Sequence, residues 1–506
     1  MFDKKVLCLG TNSEDTDVQT SILAQQNNTV NHGLIDQQNF VPTEVGFYHT
    51  TVVDVPEGEI YKLSDYFDSI ILLDQPIEQW SSYKLLLISY KLICNLDNAG
   101  KHTVYKDNKN VSAFTFFENN IKANKSFCIH PWITYYERDN RTKLCPRGGK
   151  KMDVDLDNIF KNWKTDSTYT DVRQKMLEGT MIPEHCSVCY DYEDHNIESY
   201  RQYETREWFA KLNIKNFDDL SKLEHPHFYD TGLKNTCNIM CRSCTPDFSH
   251  LIAEEANEHK IFYPLHVRTK DYAKAVRIDV DSLNDRSRVY FMGGEPTIID
   301  EVYAFMRECI KQNRTDFEFC IGTNGHKFSS TFIELSKHFS NMHFSISLDG
   351  YGKINDYWRH GSLWENIVEN MHRVKNLGHT ISSNTVPGIY NVTNIHLLFE
   401  FLDKEFPDIS MYLQLNVRPE QSAFNHPNHQ LVVESMRRCM ETNIYLADGK
   451  STKSGIDSLY NHYSNNPTCD LVAFKEFFLL NDRLDQIRNT RLVDYIPELD
   501  ACRSLI

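Results

Sequence analysis

Three cysteines on one short loop constrain this chain more than any other feature. Cys237, Cys241 and Cys244 stand in Asn235-Thr236-Cys237-Asn238-Ile239-Met240-Cys241-Arg242-Ser243-Cys244, a C-x3-C-x2-C spacing. Three thiolates this close can hold three corners of a cubic iron–sulfur cluster, which leaves one iron without a protein ligand. An open metal position is where chemistry takes place, whereas a fully ligated one is closed. The same spacing also suits a zinc site that lacks its fourth ligand. A second group is more spread out. Cys145 follows Cys128 after sixteen intervening residues, and Cys186 and Cys189 then form C-x2-C. Four cysteines make a complete set for one zinc ion or for every corner of a cube, and spacing alone does not choose between them. The other seven of the fourteen cysteines are scattered. Cys320 alternates along an apolar strand pattern and reads as a packed core thiol.

The surroundings of these cysteines narrow the possibilities. The chain has 506 residues with 54 basic and 70 acidic side chains, a formal charge of −16. That balance argues against a broad nucleic-acid surface. No stretch approaches the ~18 apolar residues of a membrane span. Met1-Phe2-Asp3-Lys4-Lys5 leads at once into a short strand pattern, so no secretion signal is expected. A reducing, cytoplasmic compartment follows, where thiols persist as thiols or metal ligands. Four segments are expected. Residues 1–115 alternate strand and helix patterns, with strands at Lys5–Gly10 and Ser69–Leu73 and an apolar helix from Tyr83 to Leu96. This predicts a small α/β domain without GxGxxG or a P-loop. Residues 116–205 hold the second cysteine group, and Tyr190 to Trp208 reads as one amphipathic helix. Residues 225–425 repeat strand–loop–helix units. Residues 426–506 are mainly helical, for example Phe474 to Arg491.

The order of motifs in residues 225–425 resembles the radical S-adenosylmethionine (radical SAM) superfamily. The C-x3-C-x2-C loop is its signature, although the usual aromatic before the third cysteine is Ser243 here. About fifty residues on, the strand Arg288 to Met292 runs into Gly293-Gly294-Glu295-Pro296 and then a helix, Thr297 to Gln312. In the superfamily this turn lies beside the amino group of SAM. Glycines let a backbone approach a ligand, and a carboxylate or carbonyl accepts from an ammonium. Asn324, in Thr323-Asn324-Gly325, and Ser347 and Asp349, in Ser347-Leu348-Asp349-Gly350, match turns that the family places near SAM. Arg359 matches an arginine that commonly reaches the SAM carboxylate or ribose, a task that suits its fork. Strands at Thr380–Val386 and Ile409–Val417 complete six units. The resemblance implies an α/β fold with a partial (β/α)6 TIM-type barrel, whose strand C-termini carry the ligand loops.

Residues 116–205 resemble the SPASM/Twitch module that accompanies many such enzymes. Asn140 stands where its motif has glycine, and His195 and Ser199 stand where the longer version has two further cysteines. The shorter, one-cluster version is therefore expected. It precedes the barrel here, whereas the family usually carries it after. The resemblance implies one [4Fe–4S] cluster on Cys237, Cys241 and Cys244 that binds SAM. It implies a second, auxiliary [4Fe–4S] cluster on Cys128, Cys145, Cys186 and Cys189, with zinc as the alternative. It implies reductive cleavage of SAM to a 5′-deoxyadenosyl radical that abstracts hydrogen from a substrate. A one-electron reductant such as flavodoxin or ferredoxin supplies the electron. Peptide or protein modification by oxidation, crosslinking or epimerisation is the favoured expectation. A dehydrogenase or rearrangement enzyme for a small sugar-like or nucleoside metabolite is the alternative, and a non-catalytic zinc or iron–sulfur scaffold belongs to another class.

Overall fold

The computed structural model describes residues 124–138, 142–150, 163–194, 199–232, 234–261, 276–413, 426–446 and 471–505, with Met152, Ile456 and the backbone of six strands nearer the N-terminus. The chain divides into two compact units. The first comprises Met1–Ile129, Gly179–Met181 and Asn196–Lys222, and the second comprises His130–Glu178, Ile182–His195 and Leu223–Ile506. The division cuts across the expected 116–205 segment and keeps 225–425 together with the C-terminal region.

The first unit holds strands β1 (Lys5–Gly10), β2 (Thr29–Leu34), β3 (Thr50–Val52), β4 (Ser69–Leu73), β5 (Leu92–Leu96) and β6 (His102–Tyr105). They form one sheet in the order β3-β2-β1-β4-β5-β6. All neighbours are parallel except β5 and β6. The order grows outward from β1 in both directions, the doubly wound arrangement. Leu92–Leu96 is a strand where the apolar pattern predicted the end of a helix. An apolar run suits a strand buried on both faces as well as a helix, and periodicity alone does not separate them. The predicted helix from Tyr190 to Trp208 is also corrected, because one helix ends at Asp194 and another spans Tyr200–Leu212. Ser199 starts the latter with a reciprocal capping box to Gln202.

The second unit is built on β7 (Thr134–Glu137), β8 (Phe228–Gly232), β9 (Arg288–Met292), β10 (Glu318–Thr323), β11 (Met342–Ser347), β12 (Thr380–Thr385), β13 (Ser410–Leu413) and β14 (Tyr445–Leu446). The sheet order is sequential from β7 to β14, and every neighbouring pair is parallel. Each crossover therefore advances the same way. This is the winding of a β/α barrel, and β7 and β14 end it as two edges. The fold is α/β, as expected. Two edge strands come from outside 225–425: β7 from the cysteine-rich segment and β14 from the region expected to be mainly helical.

The helices used below are α1 (Ser167–Leu177), α2 (Pro183–Asp194), α3 (His250–His259), α4 (Asp300–Lys311), α5 (Ser330–Ser336), α6 (Lys353–Trp358), α7 (Trp364–Asn376), α8 (Ile395–Glu405), α9 (His429–Cys439) and α10 (Leu471–Arg488). One face of the core sheet packs against this layer. Phe291 of β9 meets Phe305 of α4 edge-on at 5.2 Å, and Phe319 of β10 meets Phe291 at 5.6 Å. The alternate positions carry Tyr290, Cys320, His343 and Thr380, which share one register row across β9 to β12. The next row holds Met292 of β9, with Gly322, Ser345 and Ser382 in register across β10 to β12. The hydroxyl of Tyr290 lies over Gly322, only 2.9 Å from where a Cβ would sit, so only glycine leaves room for it. This polar face is the barrel lumen.

Candidate metal centre

β8 delivers the chain to the cysteine loop, and the N-cap of α3, Ser249, ends it. Between them the backbone is fixed at several points. Cys237 N–H donates to His250 Nδ1 at 3.1 Å. Cys244 N–H donates to the Cys241 carbonyl at 3.0 Å, and Glu295 N–H donates to the Thr236 carbonyl at 2.7 Å. Gly294, in the left-handed region at φ 55°, sits directly against this loop. A Cβ on it would lie 2.6 Å from the Lys234 carbonyl and would also collide with that of Thr236. The Gly-Gly-Glu-Pro turn therefore seats the cysteine loop, which explains the glycine at that position.

Burial pushes all three thiols up, Cys237 to about 12. Cys244 is raised further by the neighbouring sulfurs of Cys241 and Cys237, so the three groups face one another. Backbone at Ile239 and Thr245 and the Arg359 guanidinium oppose the upward shift, Arg359 at all three, and the Cys244 thiol donates to the Thr245 carbonyl at 3.6 Å. Buried, crowded thiols with a guanidinium beside them are a site in which a cation would replace three protons. Among the described residues, no group of three or more His, Cys, Asp or Glu could hold a single metal ion. A cube asks for a different arrangement, one thiolate on each of three irons. The donor set and the Gly294 cradle fit such a cluster.

The other expected SAM-binding residues come together at the same end of the sheet, with roles the sequence did not separate. The Glu295 carboxylate is fully buried. It accepts from Thr297 N–H (3.2 Å), the hydroxyls of Thr297 and Thr323 (both 2.6 Å) and Asn324 N–H (2.7 Å). It ties the end of β10 to the turn after β9. Pro296 opens a single 3-10 turn, and the helix that follows begins at Asp300, later than the Thr297 start predicted. Asn324 Nδ2 donates to Asn238 Oδ1 at 2.8 Å, linking its turn to the cysteine loop. Asp349 accepts from Arg359 at 2.6 Å and from Val386 N–H at 3.0 Å, so it orients the arginine. Arg359 itself lies beside the cysteines, and its Nε is buried without a partner. Ser347 and Asn384 face each other in register on the lumen side, and Asn384 Oδ1 is another buried orphan. An orphaned guanidinium Nε beside three thiols suits a ligand that bears a carboxylate. Ser243 accepts from the Trp358 indole at 2.9 Å in place of the usual aromatic.

The auxiliary cysteines are only partly brought together. Cys186 and Cys189 lie three apart on α2, hence on one face of the helix. Cys145 is pushed up to about 12 by burial and then by Cys186 and Cys189, while backbone at Arg147 and Gly148 opposes the shift and Gly148 N–H donates to the Cys145 carbonyl at 3.1 Å. Cys128 is buried in the first unit. Asn140 and His195 lie outside the described residues. Cys320 is buried on the lumen side of β10.

Residues 233–402 match the family model of the Radical SAM superfamily. This segment, from the residue after β8 into α8, is a radical SAM domain. No curated protein matches the chain. Among solved structures the chain aligns with anSMEcpe bound to AdoMet, at 12% identity over 47% of this chain and 62% of that one, with a TM-score of 0.30. It also aligns with SuiB of Streptococcus suis bound to precursor peptide SuiA, at 16% identity over 61% and 70%, with a TM-score of 0.32. A domain of pyruvate-formate lyase-activating enzyme from Bacteroides vulgatus aligns at 15% identity over 31% and 96%, with a TM-score of 0.25. The chain spans less than two thirds of the length of anSMEcpe. No helix among the described residues is long and apolar enough to cross a membrane.

Proposed function

We propose that this protein is a cytoplasmic radical SAM enzyme that modifies a peptide or protein. The observation that carries the radical SAM reading is the seating of the Cys237–Cys241–Cys244 loop on Gly294. Beside that loop stands the Arg359 guanidinium, whose Nε is buried without a partner. Cys237, Cys241 and Cys244 would hold a [4Fe–4S] cluster. When bound, cluster and SAM would supply, with one electron from a ferredoxin- or flavodoxin-like donor, a 5′-deoxyadenosyl radical able to take hydrogen from an unactivated carbon. The chain's own residues bind and orient. Arg359, held by Asp349, would meet a carboxylate, and the backbone at Gly293, where a Cβ would have only Gly232 within 4 Å, leaves room for a ligand to approach. Ser347 and Asn384, in register on the lumen side, would offer a hydroxyl and an amide to the ligand. The sheet excludes water from the side where Val289, Phe291 and Phe319 are packed.

Cys145, Cys186 and Cys189 would hold an auxiliary cluster, with Cys128 as fourth ligand on the sequence motif alone. A fully ligated cluster can accept an electron from a substrate radical, which makes the net change an oxidation. This favours a crosslink or side-chain oxidation of a peptide over redox-neutral outcomes such as epimerisation or rearrangement of a small metabolite. The test is anaerobic reconstitution with iron and sulfide, reduction, and chromatography for 5′-deoxyadenosine. Release of that product supports the reading. A colourless zinc protein that leaves SAM intact overturns it in favour of a scaffold. Oxidation of a small alcohol, with no mass change in candidate peptides, would overturn the substrate class alone.

A further inference from the structure

The C-terminal helix α10 is joined to the cysteine loop by two arginines that cross in opposite directions. Arg242 leaves the loop and reaches the helix. Its Nη2 pairs with Asp485 at 2.6 Å, its Nη1 donates to Asn481 Oδ1 at 3.1 Å, and its Nε donates to the Tyr357 carbonyl at 3.0 Å. Its guanidinium also lies 3.8 Å from the centre of the Tyr357 ring. Arg488 leaves the last turn of the helix and reaches the loop. Its Nη1 donates to the Met240 carbonyl at 3.1 Å, while its Nε and Nη2 grip Glu255 of α3 at 2.9 and 2.7 Å. Both guanidinium groups are essentially removed from solvent, with side-chain exposures of 0% and 1%. Asp485 is itself fixed by the hydroxyls of Tyr357 and Thr490 and by Leu492 N–H. The opposite side of the loop is held by backbone. Met240 N–H donates to the His360 carbonyl and Arg242 N–H to the Trp358 carbonyl, both at 2.7 Å.

Such an arrangement costs desolvation of two cations, so it is an expensive way merely to attach a helix. Apolar packing of the kind already present at Phe474, Phe477, Phe478, Tyr390 and Trp358 would attach it more cheaply. What the arginines add is position and charge at the residues between the metal-binding cysteines. Arg488 is among the charges that act on Cys241. The imidazole of His360, next to the same loop, is held down to about 4 by burial and then by Arg488 and Arg242.

We propose that α10 is a working part of the cluster site: Arg488 and Arg242 are positioning residues that hold Met240–Arg242 rigid and place positive charge beside the cluster. This rests on the radical SAM reading for the charge effect but not for the rigidity. Three thiolates and a cube carry net negative charge, which grows on reduction, so a nearby guanidinium makes reduction easier.

Two measurements separate the parts. In iron-free protein, amide hydrogen exchange at Met240 and Arg242 reads rigidity. In reconstituted protein, the midpoint potential reads charge. In Arg488→Met, exchange at both amides is expected to quicken by about tenfold or more, as for loss of a buried charged hydrogen bond. The potential is expected to move to more negative values. Arg488→Lys keeps the charge and loses the fork, so exchange quickens while the potential stays near that of the parent. If Arg488→Met fails to fold, Asp485→Asn carries the test, because it frees Arg242 and leaves the Arg488–Glu255 pair intact. Quickened exchange at Arg242 supports the proposal there. Parent-like exchange and parent-like potential in the folded variant overturn it. A parent protein that assembles no cube but whose loop loosens in Arg488→Met overturns the proposed function and leaves the rigid clamp standing. A functional cluster whose loop and potential ignore Arg488 does the reverse.

Discussion

In the N-terminal sheet the strand order reverses at β1, whereas in the core sheet it advances from β7 to β14 without reversing. A sheet that reverses carries crossovers on both faces, and its strands read as continuous apolar runs. Lys5-Val6-Leu7-Cys8-Leu9-Gly10 and Ser69-Ile70-Ile71-Leu72-Leu73 are written that way. A sheet that advances one way carries its helices on one face and leaves the other to a lumen. Its strands alternate, as in Arg288-Val289-Tyr290-Phe291-Met292 and Met342-His343-Phe344-Ser345-Ile346-Ser347. The same class of parallel sheet thus serves two purposes. The first offers a ligand only the crevice at its reversal, and the second offers a whole polar face beneath one ring of loops.

The largest test of this contrast is on cysteines. Replacing Cys237, Cys241 and Cys244 together by alanine is expected to abolish 5′-deoxyadenosine release while iron on the auxiliary cysteines remains. Replacing Cys8 and Cys94 of the N-terminal sheet should leave both iron content and cleavage at parental values. Loss of iron in the second variant would break the contrast. Next is Gly294→Ala. A side chain there must push the cysteine loop off its seat at an already left-handed backbone position, at a cost of about 1–3 kcal/mol. Displacement of that order is expected to lower cleavage by about a hundredfold. Parental cleavage would mean that the loop does not need its seat. Third, Phe291→Ala on the helix-facing side of β9 is expected to cost about 3–5 kcal/mol in chemical denaturation. Ser382→Ala on the lumen face, which removes one hydrogen bond to His343, is expected to cost about 1 kcal/mol. Equal losses would mean that the two faces are not differently packed.

Sequence patterns revealed this contrast unevenly. Alternation placed β9 to β12, and the family resemblance put the turns of Gly294, Asn324 and Asp349 at one end of the sheet. They could not show that Glu295 and Asp349 spend their carboxylates on holding neighbours, because a buried acceptor and a ligand acceptor are the same residue in a sequence. Leu92–Leu96 was missed for a related reason: a short apolar run carries no alternation that tells a strand from a helix. β7 escaped because four residues, Thr134–Glu137, gain their identity from pairing with β8, almost a hundred positions away. The Arg242–Asp485 and Arg488–Glu255 pairs have no local signature at all. Their partners are about 240 residues apart, and only the folded chain joins them.

The smallest expected effect distinguishes a polar lumen from an apolar one by its response to acid. His343 stands on the lumen face of β11, with its ring nitrogens at 2.9 and 2.8 Å from the hydroxyls of Thr380 and Ser382. Burial, helped by Arg288, holds its imidazole below the ordinary value of 6.5, although Glu318 opposes this. Between 6.5 and that lowered value the unfolded chain binds a proton that the folded chain refuses. Stability is therefore complete above this window and declines as the pH falls through it. His426 acts in the same direction: burial lowers it to about 4, and its Nδ1 accepts from Asn428 N–H. Urea unfolding of the parent should lose at most about 2 kcal/mol per histidine between pH ~6.5 and pH ~5. His343→Gln should remove its share of that loss while keeping a hydrogen-bonding side chain on the sheet. An unchanged pH dependence in this variant would mean that the lumen face is wet enough to charge the imidazole freely.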